Sequence, residues 1–164
     1  MSNQGIRGFY QITQIIKDQL LEDININTVT TGDISDVNLN KQDIFPLAHI
    51  IVNNVTVGEQ VLKFDINVLA MDMVNRSKVK TKELYKGDNN VQNILNTQLG
   101  VLNKLIQVLR RGTLYTGDST LSTNNPYQLE GDPTLEPFFD RFENELAGWT
   151  ATLNITIYND ITIC

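Results

Sequence analysis

Cysteine, histidine, basic charge and long apolar runs are what this chain has least of. Its one cysteine, Cys164, is the last residue, so neither a disulfide framework nor a cysteine zinc site can form within one chain, and a reducing compartment is the simplest setting. Its one histidine, His49, leaves no second imidazole to activate a terminal thiol. No apolar run approaches the roughly 18 residues of a membrane span. The opening MSNQGIRGFYQ lacks the apolar centre of a signal peptide, so the sequons at Asn54, Asn75 and Asn154 are not expected to carry glycans. With a formal net charge of −6 and no basic stripe, the chain is not expected to grip nucleic acid by neutralising phosphates, and its acidic surface suits DNA only as something that slides past. A Gly-rich phosphate loop, a nucleophile elbow and metal-ligand spacing are missing too. No enzyme is expected from this inventory, and no metal or cofactor is expected to be needed for folding.

What is present is an ordinary globular composition. At 164 residues, 41% hydrophobic and 20% charged, residues 1–164 are expected to form one domain with a real core. The strongest local pattern is FPLAHIIVNNVTVGEQVLKFDINVLAMDMV, residues 45–74, which reads as two strands folded back on each other. A two-residue turn at Gly58-Glu59 would set Val55 against Leu62, Asn53 against Phe64, Ile51 against Ile66, His49 against Val68 and Leu47 against Ala70 on one apolar face. Phe64, Ile66 and Val68 are then expected in the core. His49 on that face reads as a satisfied core imidazole rather than a catalyst or ligand.

Before the hairpin, Ile6 to Ile24 has helical period, with Ile6, Phe9, Ile12, Ile16, Leu20 and Ile24 on one stripe. Ile15 and Leu21 fall outside it, either as scattered surface apolars or as a second contact such as another subunit. Residues 27–31, NTVTT, read as a short strand closed by Gly32-Asp33. The run at 33–43 is polar with isolated Ile34, Val37 and Leu39 and is expected to be an exposed arm.

After the hairpin, residues 75–88 hold Arg76, Lys78, Lys80, Lys82 and Lys86, a solvated ribbon or a contact for an acidic partner. Asp88, Asn89 or Asn90 caps the next helix, predicted from Val91 to Arg111. Its broad arc is Val91, Ile94, Leu95, Leu99, Leu102, Leu105, Ile106 and Leu109, extended at one edge by Val101 and Val108. Arg110 and Arg111 followed by Gly112 suit a helix C-terminus. Residues 114–137 read as a long irregular loop or arm. Phe138, Phe139 and Phe142 are expected on a short helix whose wet side carries Asp140 and Glu143, with Glu136 and Glu145 nearby. Such an acidic cluster invites a metal or glycosidase reading, but solvated acid is far commoner. Finally WTATLNITIYNDITIC, residues 149–164, alternates Trp149, Ala151, Leu153, Ile155 and Ile157 against Thr150, Thr152, Asn154, Thr156 and Tyr158, as a half-buried strand does. The expected fold class is α+β: two layers, a mostly antiparallel sheet with two main helices on one face.

That element order, together with FPLAHIIVNN and its hairpin, the LNTQLGVLNKLIQVLRRG helix and the closing LAGWTATLNITI strand, resembles the tail terminator or tail-completion family of tailed bacteriophages. Thr30-Thr31-Gly32-Asp33 and Glu143-Asn144-Glu145-Leu146-Ala147-Gly148-Trp149 also resemble neck or ring proteins of phages infecting Bacteroidetes, crAss-like ones among them. Members of the terminator family are not enzymes; they form rings, commonly six-fold, that cap the tail tube and join it to the head-side connector. The resemblance implies a structural virion protein assembled in the host bacterial cytoplasm. Its partners would be copies of itself and other neck, tail or connector proteins, with DNA as cargo in the lumen and no membrane.

A ring uses two different surfaces of each subunit. Candidates are Ile15, Leu21, Val101 and Val108, together with the acidic residues Asp33, Asp36 and Asp43 of one arm facing Lys78, Lys80 and Lys82 of a neighbour. The rival expectation is a monomeric cytoplasmic protein-binding module.

Overall fold

The computed structural model describes residues 4–75, 89–111, 127–141 and 145–159. The elements in chain order are helix α1 (Gln4–Leu21), strand β1 (Thr28–Thr31), single 3-10 turns at Ile34–Asp36 and Gln42–Ile44, strands β2 (Leu47–Val57) and β3 (Val61–Met73), helix α2 (Val91–Leu109), and strands β4 (Tyr127–Leu129), β5 (Thr134–Arg141) and β6 (Leu146–Tyr158). Among the described residues the strands form one six-stranded sheet in the order β1-β2-β3-β6, with β4 and β5 both on the far side of β6. β1 runs parallel to β2, and every other pairing is antiparallel. The fold is α+β, with both helices on one face.

The centre of the molecule is the pairing of β3 with β6, unbroken from Val61 against Tyr158 to Met73 against Leu146. Alternation decides which side chains meet the helices. From β3 these are Leu62, Phe64, Ile66, Val68 and Ala70; from β6 they are Ala151, Leu153, Ile155 and Ile157. As expected, Phe64, Ile66 and Val68 are 3% exposed or less. α1 contributes Ile12, Ile16 and Leu20 to the same core, and α2 contributes Val101, Leu102, Leu105, Ile106 and Leu109. Trp149 fixes the second layer to the first, because its indole N–H donates to the Leu95 carbonyl at 2.8 Å. Gly148 permits the close approach of β6 to β3: a Cβ there would collide with the Ala70 carbonyl and lie 2.8 Å from Met71 Cα.

The helix stripes depart from expectation at their ends. Phe9 is 47% exposed within α1, and Ile24 is 98% exposed, since α1 ends at Leu21 and the chain turns before Ile24 can reach the sheet. On α2, Leu99 is exposed, and Gln98 is buried in its place. The helix begins at Val91 with Asn90 as cap residue, but it is the Asn89 side chain that accepts the Val91 N–H.

The hairpin register differs as well. Gly58 N–H donates to the Val61 carbonyl, so Glu59-Gln60 occupy the turn and Val57 pairs with Leu62. The register then shifts between Val52 and Asn54, one extra residue on β2. Such a bulge turns the following side chains over. From Val52 back to Leu47 the residues facing the helices are therefore Val52, Ile50 and Ala48, while Ile51, His49 and Leu47 face the other way.

Two segments expected to be loose are ordered parts of the sheet layer. The run at 33–43 is not an arm: Ile34, Val37 and Leu39, continued by Ile44 and Phe45, pack over Leu47, Leu69, Met71, Phe138 and Leu146 on the face away from the helices. Of the segment expected as a loop at 114–137, residues 114–126 lie outside the described residues. The rest is strand, because β4 and β5 together run along β6, broken only at residues 130–133. Phe138 and Phe139 are likewise on β5 rather than on a short helix, the first buried and the second 55% exposed.

Candidate assembly surfaces

Residues 33–45 form a strap across the second face of the sheet. Its entry is set by Gly32, whose φ of +105° suits glycine. Asp33 follows, its carboxylate accepting the Ser35 N–H at 2.9 Å, which holds its pKa below the usual carboxylate value. The far end is tied by the Asn27 side-chain amide, which donates to the Asp43 carbonyl at 2.6 Å. Because the apolar residues of the strap point at the sheet, its acids point to solvent: Asp33, Asp36 and Asp43 are all exposed.

Beneath the strap entrance lies His49, 0% exposed. Its Nε2 is 3.0 Å from the Gly32 carbonyl, which can only accept, so Nε2 carries the proton. Nδ1 then accepts from the Thr30 hydroxyl at 2.7 Å. Desolvation pushes the imidazole pKa below 6.5, although the Gly32 carbonyl and the Asp33 charge oppose this. This is a satisfied buried histidine, as expected. It sits on the strap side rather than the helix side, and it joins β1 to β2 instead of facing a substrate.

Past the strap the same face is open and polar. Asn54, Thr56, Lys63, Asp65, Glu130, Asn154 and Thr156 line a cleft of about 470 Å³. The amides of Asn53 and Asn54 each lie 3.4 Å from the Asp65 carboxylate, and the Thr156 hydroxyl donates to Glu130 at 3.0 Å. Among the described residues no group of three or more His, Cys, Asp or Glu could hold a metal ion, and no helix is long and apolar enough to cross a membrane.

The residues expected at a subunit interface are dispersed. Leu21 is 46% exposed at the end of α1. Ile15 is half-buried against the helix-side core, and Val108 is half-buried. Val101 is only 2% exposed, since it points between α2 and the sheet, and it is not available to a partner. Lys78, Lys80 and Lys82 lie outside the described residues. No protein-family model matches the chain, and no curated protein matches it.

Sequence reading missed the surface around the hairpin tip. β1 pairs with β2 only from Leu47 to Ile50, so Ile51–Val57 has no strand on its outer side among the described residues. Val55 is 39% and Val57 is 73% exposed. The aromatic pair Phe9 and Tyr10, centroids 5.8 Å apart, lies exposed on the neighbouring α1. The signal was in the counts: β1 supplies four residues and β2 eleven, too few to cover it.

Proposed function

We propose that this chain is a structural virion protein, a ring-forming subunit at the head-to-tail junction or tail end of a tailed phage. The observation that carries the reading is that, among the described residues, the sheet ends in different open edges on opposite sides, β1 on one and β4 with β5 on the other. A subunit with two unlike open sides is suited to the heterologous contacts that close a ring. The element order and two-layer architecture fit the phage-family resemblance, and the outward acids of the strap supply a charged surface for a neighbour. Asp33, Asp36 and Asp43 would face Lys78, Lys80 and Lys82 of the next subunit or of a stacked ring. Exposed pairs of this kind contribute about 1 kcal/mol or less each, so they tune register while apolar contacts supply most of the affinity. An acidic lumen would let DNA pass without sticking.

The test is electron microscopy of the purified protein with and without its neck partners, together with antibody labelling of virions. Closed rings and label at the neck or tail end are expected. A chain that stays outside the virion contradicts the reading. The polar cleft past the strap favours a second reading, a monomeric cytoplasmic module that grips one protein partner. That reading expects a single-copy complex whose affinity falls when Lys63 and Asp65 are replaced.

A further inference from the structure

Among the described residues the edge Ile51–Val57 has one feature that blunts a free strand, the bulge at Asn53, and beyond it Asn54–Val57 pairs with β3 in unbroken register. The edge is seven residues long and contains no proline and no charged side chain. The other edges differ. β1 has four residues, and β5 places Pro137, which has no N–H, beside Glu136.

The direction of the free groups follows from the ladder. Gly58 bonds to Val61, so the alternation of an antiparallel pair puts Thr56 and Asn54 in the next hydrogen-bonded pairs with β3. The N–H and C=O of Val55 and Val57 therefore point away from the sheet. Their side chains share the face of Phe64 and Leu62, the face on which α1 lies with Phe9 and Tyr10 exposed.

We propose that this edge pairs with the same edge of a second copy, antiparallel about a two-fold axis at Thr56. In that register Val55 of each copy exchanges backbone hydrogen bonds with Val57 of the other, and the two Thr56 side chains stand directly opposite in a non-hydrogen-bonded pair. Self-pairing sets a strand against its own charges, and like charges opposite each other destabilise a sheet. A strand without charge is the kind that can meet its own copy. Threonine against threonine is a favourable cross-strand pair, and valine suits a half-buried pleated surface. The contact is isologous and goes beyond the ring reading, since it would join subunits of two rings, or two free subunits, rather than neighbours within one ring.

The experiment uses the full chain with Cys164→Ser, to which Thr56→Cys or, as a control, Ser35→Cys on the strap is added. Opposed Cβ atoms in a non-hydrogen-bonded pair come close enough for a disulfide. Mild oxidation at near-millimolar protein is expected to cross-link most of the Thr56→Cys chain and little of the control. Sedimentation of the wild-type chain should show a monomer–dimer equilibrium that Val57→Lys weakens at least tenfold with unchanged circular dichroism. Equal cross-linking of both variants overturns the proposal, as does a wild-type chain that stays monomeric at every concentration. A closed ring without the Thr56→Cys cross-link overturns it and leaves the ring reading standing; a cross-linked dimer with no ring does the reverse.

Discussion

The two halves of β2 both carry β-branched residues and lie in opposite surroundings. From Leu47 to Val52, β2 has β3 on one side and, as far as Ile50, β1 on the other, with helices over one face and the strap over the other, and its first four residues are buried. From Asn53 to Val57, the same strand keeps only β3 beside it, and every side chain is exposed. β-branched residues occur in both halves, Ile50, Ile51 and Val52 in one and Val55, Thr56 and Val57 in the other, so β-propensity does not separate them. Coverage does. The base is held by burial and belongs to the fold, while the tip retains unpaired backbone groups and apolar side chains, the two ingredients of association through a strand edge.

The comparison breaks most visibly on the covered strand β3. Phe64→Ala removes a ring 3% exposed between β3 and the helices, directly across from the exposed Val55, and should cost about 3 to 5 kcal/mol, read from denaturant midpoints. A loss as small as that of a surface residue would mean that the helix-covered face of β3 is not the core. Met71→Ala, on the strap face, should cost about 2 to 3 kcal/mol, near the low end for buried methionine, because the strap above it is only half-buried and can settle. His49 sharpens the same face. Burial depresses its folded pKa below 6.5, so the unfolded chain binds the proton more readily. Its contribution is fully present above about pH 6.5 and is lost as pH falls through the folded value. Urea midpoints measured through that window should fall with acid in the wild type and fall less in His49→Gln. The smallest effect is expected at the tip, where Val57→Thr should leave stability of the isolated chain within about 0.5 kcal/mol. A loss of 2 kcal/mol or more would put the tip inside the fold.

Much of the helix-covered core was legible in the sequence. Phe64, Ile66, Val68 and the Trp149 to Ile157 alternation announce their buried face through period alone, because the helices cover that face along most of its length. The side of β2 was not legible. A bulge beside Asn53 inverts it, and nothing in IIVNNV distinguishes a bulge from a straight strand. The strap misled for a related reason: Ile34, Val37 and Leu39 are spaced for neither helix nor strand, and they find their partners only once Leu69 and Met71 of β3 are in place. β5 was read as loop and helix because Pro133 and Pro137 mask its alternation; as the outermost strand it tolerates the missing N–H. Of the candidate surface, Leu21 and the three strap acids were foreseen as exposed. Val101 was not separable from Val108 by sequence, since both border the arc, yet the first is buried and the second half-buried.

Hydrogen exchange resolved to single amides, on the dilute chain and on the assembled form, tests the division between base and tip most directly. The amides of Ile66 and Val68 should be protected in both states. Those of Val55 and Val57 should exchange freely in the dilute chain and become protected on assembly. Protection of the tip amides in the dilute monomer, or their free exchange in the assembled form, would contradict the account.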